Sequence, residues 1–315
     1  MNQGGRAPQN PFAEPARAVP GKPRVERRLN LYIDGYNFYV PLSQSGKESD
    51  YELAWCNFLS LGEHLVQRLA REQTQFAGCS LGAVKYFTAT IPEGMPSNPS
   101  GIQRKYNWLD ALNCASGGRV EVIHGTFRAR KHRFYIERAE LDKLARSGIP
   151  INFEVAARQQ TYRPQLTVHE EKQTDAMLAS ALVTDAALGR LGGTSGSPAS
   201  ARLQTVPLHR TNTRPTPAAC HAAVVLSADI DFLPAAEMAA QVFECPVVVA
   251  FSYPHEGYEV RELACRSEGL SALHISSEEL RGCMLPRQLV LQDGRRVSLD
   301  EFKKTHFGQV RASGG

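Results

Sequence analysis

The sequence has no run of about 18 consecutive apolar residues, so it offers no candidate for a transmembrane helix. Its first 28 residues contain no apolar stretch of the kind a secretory signal needs. Seven cysteines are present, an odd number, and no two stand in CxxC spacing. That excludes the signatures of a zinc ribbon, a thioredoxin-type site and a secreted disulfide framework, and leaves reduced thiols in a cytoplasmic protein as the simplest expectation. GxSxG, P-loop and GxGxxG patterns are missing too; the glycines of GRLGGTSGS (189–197) follow a helical segment rather than a strand. With 22% charged residues, the 315-residue chain is too ordinary for wholesale disorder, and 25 glycines and 19 prolines are too few for a low-complexity or collagen-like protein. A chain of this length supports one large core or two small ones.

The net charge of +4 is mild, but its placement is uneven. Arg6, Arg17, Lys22, Arg24, Arg27 and Arg28 crowd the start, which reads as a disordered basic tail over 1–28. Between Asp185 and Asp229 the basic residues are Arg190, Arg202, Arg210 and Arg214, with no acid among them. Two basic segments suit either a polyanionic partner or simple solubility.

Apolar patterning predicts a series of alternating strands and helices. LNLYID (29–34) reads as a buried opening strand, 57–71 as a helix, 81–90 as a strand, 101–115 as a helix and 119–127 as a strand. The region 128–169 is ambiguous, with a helix over 137–146 and a short strand or hairpin at 151–156 as expectations. Lys172–Leu188 reads as a helix, 189–219 as a flexible insertion, 222–227 as a strand and 232–242 as a helix. A strand at 246–251, a helix at 258–265, a strand at 273–276 and a hairpin over 288–299 turning at Asp293-Gly294 complete the pattern. This alternation predicts an α/β fold, Rossmann-like, with a mainly parallel central sheet in three layers and a small C-terminal hairpin. Sites in such sheets form at the carboxyl ends of the strands.

That rule singles out the aspartates. Asp34 ends the first strand, Asp229 and Asp231 follow the 222–227 strand, and Asp175 opens the 172–188 helix. Asn37 and Ser227 add neutral oxygens beside them. Crowded carboxylates need a compensating cation, and hard oxygen ligands favour Mg²⁺ or Mn²⁺. The chemistry this implies is metal-assisted phosphodiester hydrolysis. Each residue also has a plainer role: Asp34 as a turn residue, Asp175 as a helix first-turn acid, Asp229 and Asp231 as caps. Arg128, Arg130, Lys131 and Arg133, beside Phe134 and Tyr135, form a basic and aromatic cluster of the type that holds single-stranded RNA. Lys85, Arg104, Lys105 and Lys172 are either phosphate-binding charges or a solvated face, and His169-Glu170-Glu171 matches no zinc pattern.

The segments LYIDGYNFY, EKQTDAMLASALVTDA and VVLSADIDFLPAAEMA occur in this order. Together they resemble the NYN domain, the LabA/DUF88 branch of the PIN-like nucleases, over roughly Leu29 to Ser276. The last motif is similar to that family's SGDSDF signature, with Ala228 and Ile230 standing where it has glycine and a small polar residue. The resemblance implies a PIN-like domain over 29–276 interrupted at 189–219, and a C-terminal extension over 277–315. It also implies an Asp34, Asp175, Asp229 and Asp231 cluster that binds Mg²⁺ or Mn²⁺, supported by Asn37 and Ser227, and ribonuclease activity. Single-stranded RNA is then the expected partner, no membrane is involved, and self-association is left open. Two alternatives remain at this point: a non-catalytic RNA-binding regulator, and a small-molecule phosphatase with Asp34 as nucleophile, in which Tyr36 stands where a second aspartate would be wanted.

Overall fold

Short apolar runs buried on both faces can only be central strands of a covered sheet, and the two most apolar segments behave so. Ala222–Leu226 and Val247–Ser252 are buried at every position. The computed structural model describes residues 26–89, 99–133, 136–137, 152–154, 161–191, 215–255 and 257–303. Six parallel strands form its centre: β1 (Arg27–Asp34), β2 (Cys79–Ala89), β3 (Val120–Arg133), β7 (Ala222–Leu226), β8 (Val247–Ser252) and β9 (Leu270–Ile275). Their order is β3-β2-β1-β7-β8-β9. The order reverses between β1 and β7, so a crevice opens at the carboxyl ends of these two strands.

Beyond β3 the sheet turns antiparallel. The far half of β3 pairs with β6 (Thr161–Lys172), which also pairs with β4 (Ile136–Glu137) and β5 (Asn152–Glu154). This corrects the reading of Lys172 as a helix start: Lys172 pairs with Thr126 as the last residue of a strand. The tail 1–25, most of the expected 137–146 helix and residues 192–214 of the expected insertion lie outside the described residues.

Two helical layers cover the sheet. On one face lie α1 (Gly35–Gln44), α3 (Phe58–Glu72) and α4 (Pro99–Ser116), with the short α2 (Glu48–Tyr51). Helix α3 begins where the Asn57 side chain accepts from the backbone N–H groups of Leu59 and Ser60. Its Leu61, Leu65 and Leu69, all fully buried, recur on one face as helical spacing requires. On the other face lie α5 (Thr174–Arg190), α6 (Leu233–Phe243) and α7 (Tyr258–Arg266), packed on Tyr32, Phe87, Val225 and Val249. After β9 come α8 (Ser277–Gly282), held by a Ser276–Glu279 capping box, and the hairpin β10 (Gln288–Val290) and β11 (Arg296–Ser298). Gly294 has φ +83° at its turn, a backbone that favours glycine.

A buried charge sits between the sheet and α5. The Lys85 ammonium donates to Asp185 Oδ2 at 2.6 Å and to the Thr216 carbonyl at 2.7 Å. Asp185 also accepts from the Tyr32 hydroxyl at 2.8 Å and the Ala218 N–H at 2.8 Å. Burial first, then the nearby Cys220 and Asp185, push the Tyr32 phenol well above its usual pKa, which keeps it a donor. Lys85 is therefore neither a phosphate ligand nor part of a solvated face. No described helix is long and apolar enough to cross a membrane.

Candidate functional site

The crevice between β1 and β7 is built on Asp34. Leu31, Tyr32 and Ile33 are fully buried, so the strand delivers Asp34, 3% exposed, to the rim with little freedom. There it caps α1. Its Oδ1 accepts from the N–H groups of Tyr36 at 3.0 Å and Asn37 at 3.1 Å. Its Oδ2 accepts from Asn37 Nδ2 at 2.6 Å and from the Ser227 hydroxyl at 3.0 Å, across from β7. Gly35 is required because a Cβ there would run into the Tyr86 hydroxyl and come within 2.7 Å of the Phe87 carbonyl oxygen.

Ser227 extends the network. Its oxygen accepts the Asp229 N–H at 3.1 Å, and Asp229 Oδ1 accepts the Asp231 N–H at 3.0 Å. Asp34, Asn37, Ser227 and Asp229 are thus brought together as the strand-end rule anticipates. Asp231 follows on the exposed side, and neither it nor Asp229 caps α6, whose first turn has no side-chain cap.

Asp175 differs. The C-terminal end of α5 lies against Cys220, near the start of β7, so its first turn points towards the carboxyl rim. Asp175 is exposed there, in a position that favours the helix dipole. Among the described residues, no group of three or more His, Cys, Asp and Glu side chains is gathered to hold a metal ion. The physical reason lies in Asp34. A carboxylate has about four acceptor sites, and four donors occupy them, so hydrogen bonds do the compensating assigned above to Mg²⁺ or Mn²⁺.

Three large side chains to which sequence reading gave no part in the site are exposed at the same rim. Tyr36 (60% exposed) follows β1, Ile230 (36%) follows β7 and Tyr258 (72%) follows β8, three neighbouring strands. The available signal was their position just after strand ends. Arg128, Arg130, Lys131 and Arg133 lie on β3 opposite Glu170, Val168, Thr167 and Gln165 of β6. What their side chains and that of Lys172 reach lies outside the described residues.

The strand order is that of dinucleotide-binding sheets, in which a pyrophosphate rests on the helix after β1. The residues here do not fit such a group. The N–H groups of Tyr36 and Asn37 are taken by Asp34, a phosphate would meet that carboxylate, and Gly35 is packed on Tyr86 rather than opening the turn.

The chain is 24% identical over 267 residues to the 6-hydroxy-3-succinoylpyridine 3-monooxygenase HspA of Pseudomonas putida (strain DSM 28022 / S16), covering 82% of this chain and 70% of that protein. No family model and no solved structure matches. The similarity is to an enzyme, but to an oxidoreductase. It overturns the expected metal-dependent ribonuclease, and with it the hydrolase reading and the Mg²⁺ or Mn²⁺ cofactor.

Proposed function

We propose that this chain is an oxidoreductase that inserts oxygen into a small hydroxylated heteroaromatic ring at the β1–β7 crevice. The similarity to a protein named as a pyridine monooxygenase carries the reading. The rim supports it: a hydrogen-bonded polar floor of Asp34, Asn37, Ser227 and Asp229 lies among the exposed Tyr36, Ile230 and Tyr258. A planar ring stacks on the aromatic side chains while its polar atoms face the network. The NYN resemblance then describes the ancestry of the scaffold, and the chemistry is separate from it.

Monooxygenation at a ring C–H forms a C–O bond to one atom of O₂, with that hydrogen leaving the carbon as a proton, and reduces the other atom to water with two electrons from an external reductant. Asp34, with its acceptor sites occupied, is a positioning residue. Asp229 is the residue that accepts the proton of the ring hydroxyl, which makes the ring electron-rich towards an oxygen electrophile.

The test is incubation with 6-hydroxy-3-succinoylpyridine, ¹⁸O₂, and NADH with or without flavin, read by mass spectrometry. One ¹⁸O per product is expected, and Asp229→Asn is expected to lower kcat/KM by about 10²–10⁴-fold with unchanged folding. Absence of label with every reductant, or an unimpaired Asp229→Asn, refutes the assignment.

A further inference from the structure

The central sheet ends at β9, and the two sides of that strand differ. Its carbonyls at Gly269 and Ile275 accept from the N–H groups of Val247 and Tyr253, on the β8 side. Backbone direction alternates along a strand, so Leu270, Ala272 and His274 turn their N–H and C=O groups away from β8, towards the open edge. Two of these groups are satisfied within the chain. The Leu270 N–H donates to the Ser267 carbonyl at 3.2 Å, and the His274 carbonyl accepts from the Arg68 guanidinium at 3.0 Å. The Leu270 carbonyl, both groups of Ala272 and the His274 N–H have no partner among the described residues.

Proteins guard such an edge with lysine, proline, a bulge or a very short strand. The segment LSALHI has no Asp, Glu, Lys or Arg and no proline, and its register with β8 runs without a shift. Its six residues extend about 20 Å. Both faces of β9 are already covered: Leu270 and Ala272 pack with Val260 and Ala264 of α7, and Leu273 and Ile275 belong to the core on the α3 side. What is left to a partner is the backbone edge, and backbone edges are met by strands.

The open groups decide which strand. A foreign strand with a full ladder would bring an acceptor to the Leu270 N–H and a donor to the His274 carbonyl, both already in use. A second β9, turned antiparallel about a two-fold axis at Ala272, brings neither. Ala272 then donates its N–H to the carbonyl of the partner's Ala272 and accepts in return. The His274 N–H donates to the carbonyl of the partner's Leu270, and the same bond recurs on the other side of the axis. Every open group finds a mate, and the groups left out are those Ser267 and Arg68 already serve. The side chain on the axis is the small, uncharged Ala272, so no like charges meet there.

We infer that β9 is a dimer interface, pairing antiparallel with β9 of a second copy of this chain about a two-fold axis at Ala272, so that two central sheets run on as one. The inference needs no turnover at the rim, so its outcome is independent of the proposed oxidoreductase activity.

Sedimentation equilibrium of the full chain from about 1 to 100 μM tests it, and a reversible dimer with Kd at or below about 10 μM is expected. Hydrogen exchange read by mass spectrometry should slow over β9 as the concentration is raised through Kd. Ala272→Pro removes the N–H at the axis, a change that the open side of an edge strand tolerates, and is expected to be monomeric over the same range. His274 is exposed, so His274→Lys is expected to fold normally, and the edge lysine should weaken the dimer about tenfold or more. Circular dichroism checks both folds, and His274→Lys carries the test alone if Ala272→Pro does not fold. A monomer up to about 100 μM, a dimer without slowed exchange over β9, or an unchanged Kd in the folded variants overturns the inference.

Discussion

Replacing Lys85 by methionine tests the physics of the interior most directly. The side chain is about isosteric, so the change removes charge and hydrogen bonds while leaving volume. Lys85 and Asp185 are each 1% exposed, and the pair is 2.6 Å apart. Without the ammonium, Asp185 keeps the Tyr32 hydroxyl and the Ala218 N–H but loses its counter-charge, and the Thr216 carbonyl loses its donor. Removing one member of a buried pair costs about 3–5 kcal/mol, and the lost carbonyl bond adds about 1 kcal/mol. That is a large share of the roughly 5–15 kcal/mol by which domains are stable. With a urea m-value on the order of 3 kcal/mol/M, the unfolding midpoint should fall by about 1–2 M. Lys85→Met with Asp185→Asn should recover at least about half of the loss, because the amide oxygen still accepts from the Ala218 N–H, the new NH₂ group can donate to the Tyr32 hydroxyl oxygen once that hydroxyl turns, and the unpaired charge is gone. A single-variant cost below about 1 kcal/mol, or a double variant less stable than Lys85→Met alone, would refute the assignment of a buried, mutually dependent pair.

Acid should destabilise the fold in two windows. Burial and the Lys105 charge lower His124 to about 4 from 6.5, so the unfolded chain takes up that proton first and stability falls as pH drops from about 6.5 to 4. Burial raises Glu279, but hydrogen bonds from His64 and Ser276 and the Arg68 charge outweigh it and hold the carboxyl at about 2; its contribution is complete above about 4.5 and is lost as pH falls towards 2. Melting temperatures between pH 7 and 2 should show His124→Gln flattening the upper window and Glu279→Gln the lower; an unchanged profile in either variant sinks that attribution. Gly35→Ala should cost about 1–3 kcal/mol, because the new Cβ meets the backbone oxygen of Phe87 and a packed tyrosine; a wild-type melting curve would show that the turn at Asp34 is not tightly packed.

The central strands were legible because burial on both faces writes itself as unbroken apolar sequence: AAVVL and VVVAFS could be little else. Helix α3 was legible from its leucine spacing. Helix α1 was not, since it starts at a glycine and carries Pro41 inside, and its N-cap Asp34 was read as a turn residue or a metal ligand instead. Strand β6 was left ambiguous and its last residue, Lys172, was read as a helix start, because its pairing with β3 is long-range and leaves no periodic apolar mark. At the site, the positions of Asp34, Ser227 and Asp229 followed from the rule about strand ends. What failed was the electrostatic step from neighbouring acids to a metal. The donors that satisfy Asp34 are backbone N–H groups, an amide and a hydroxyl, which no count of charges reveals. Lys85 was misjudged for the same reason: its partner is 100 residues away.

The return of the chain onto β7 is anchored several times over. Asn30 donates to the Ala218 carbonyl, the Cys220 N–H to the Asp185 carbonyl and the His221 N–H to the Arg28 carbonyl. Gly189, near the end of α5, touches Cys220 so closely that a methyl group would not fit. The points where the chain leaves α5 and where it re-joins the sheet are therefore adjacent and independently fastened. An engineer who alters this return must therefore leave Thr216, Ala218, Cys220 and His221 in place, because their backbone groups serve Lys85, Asp185, Asn30 and Arg28.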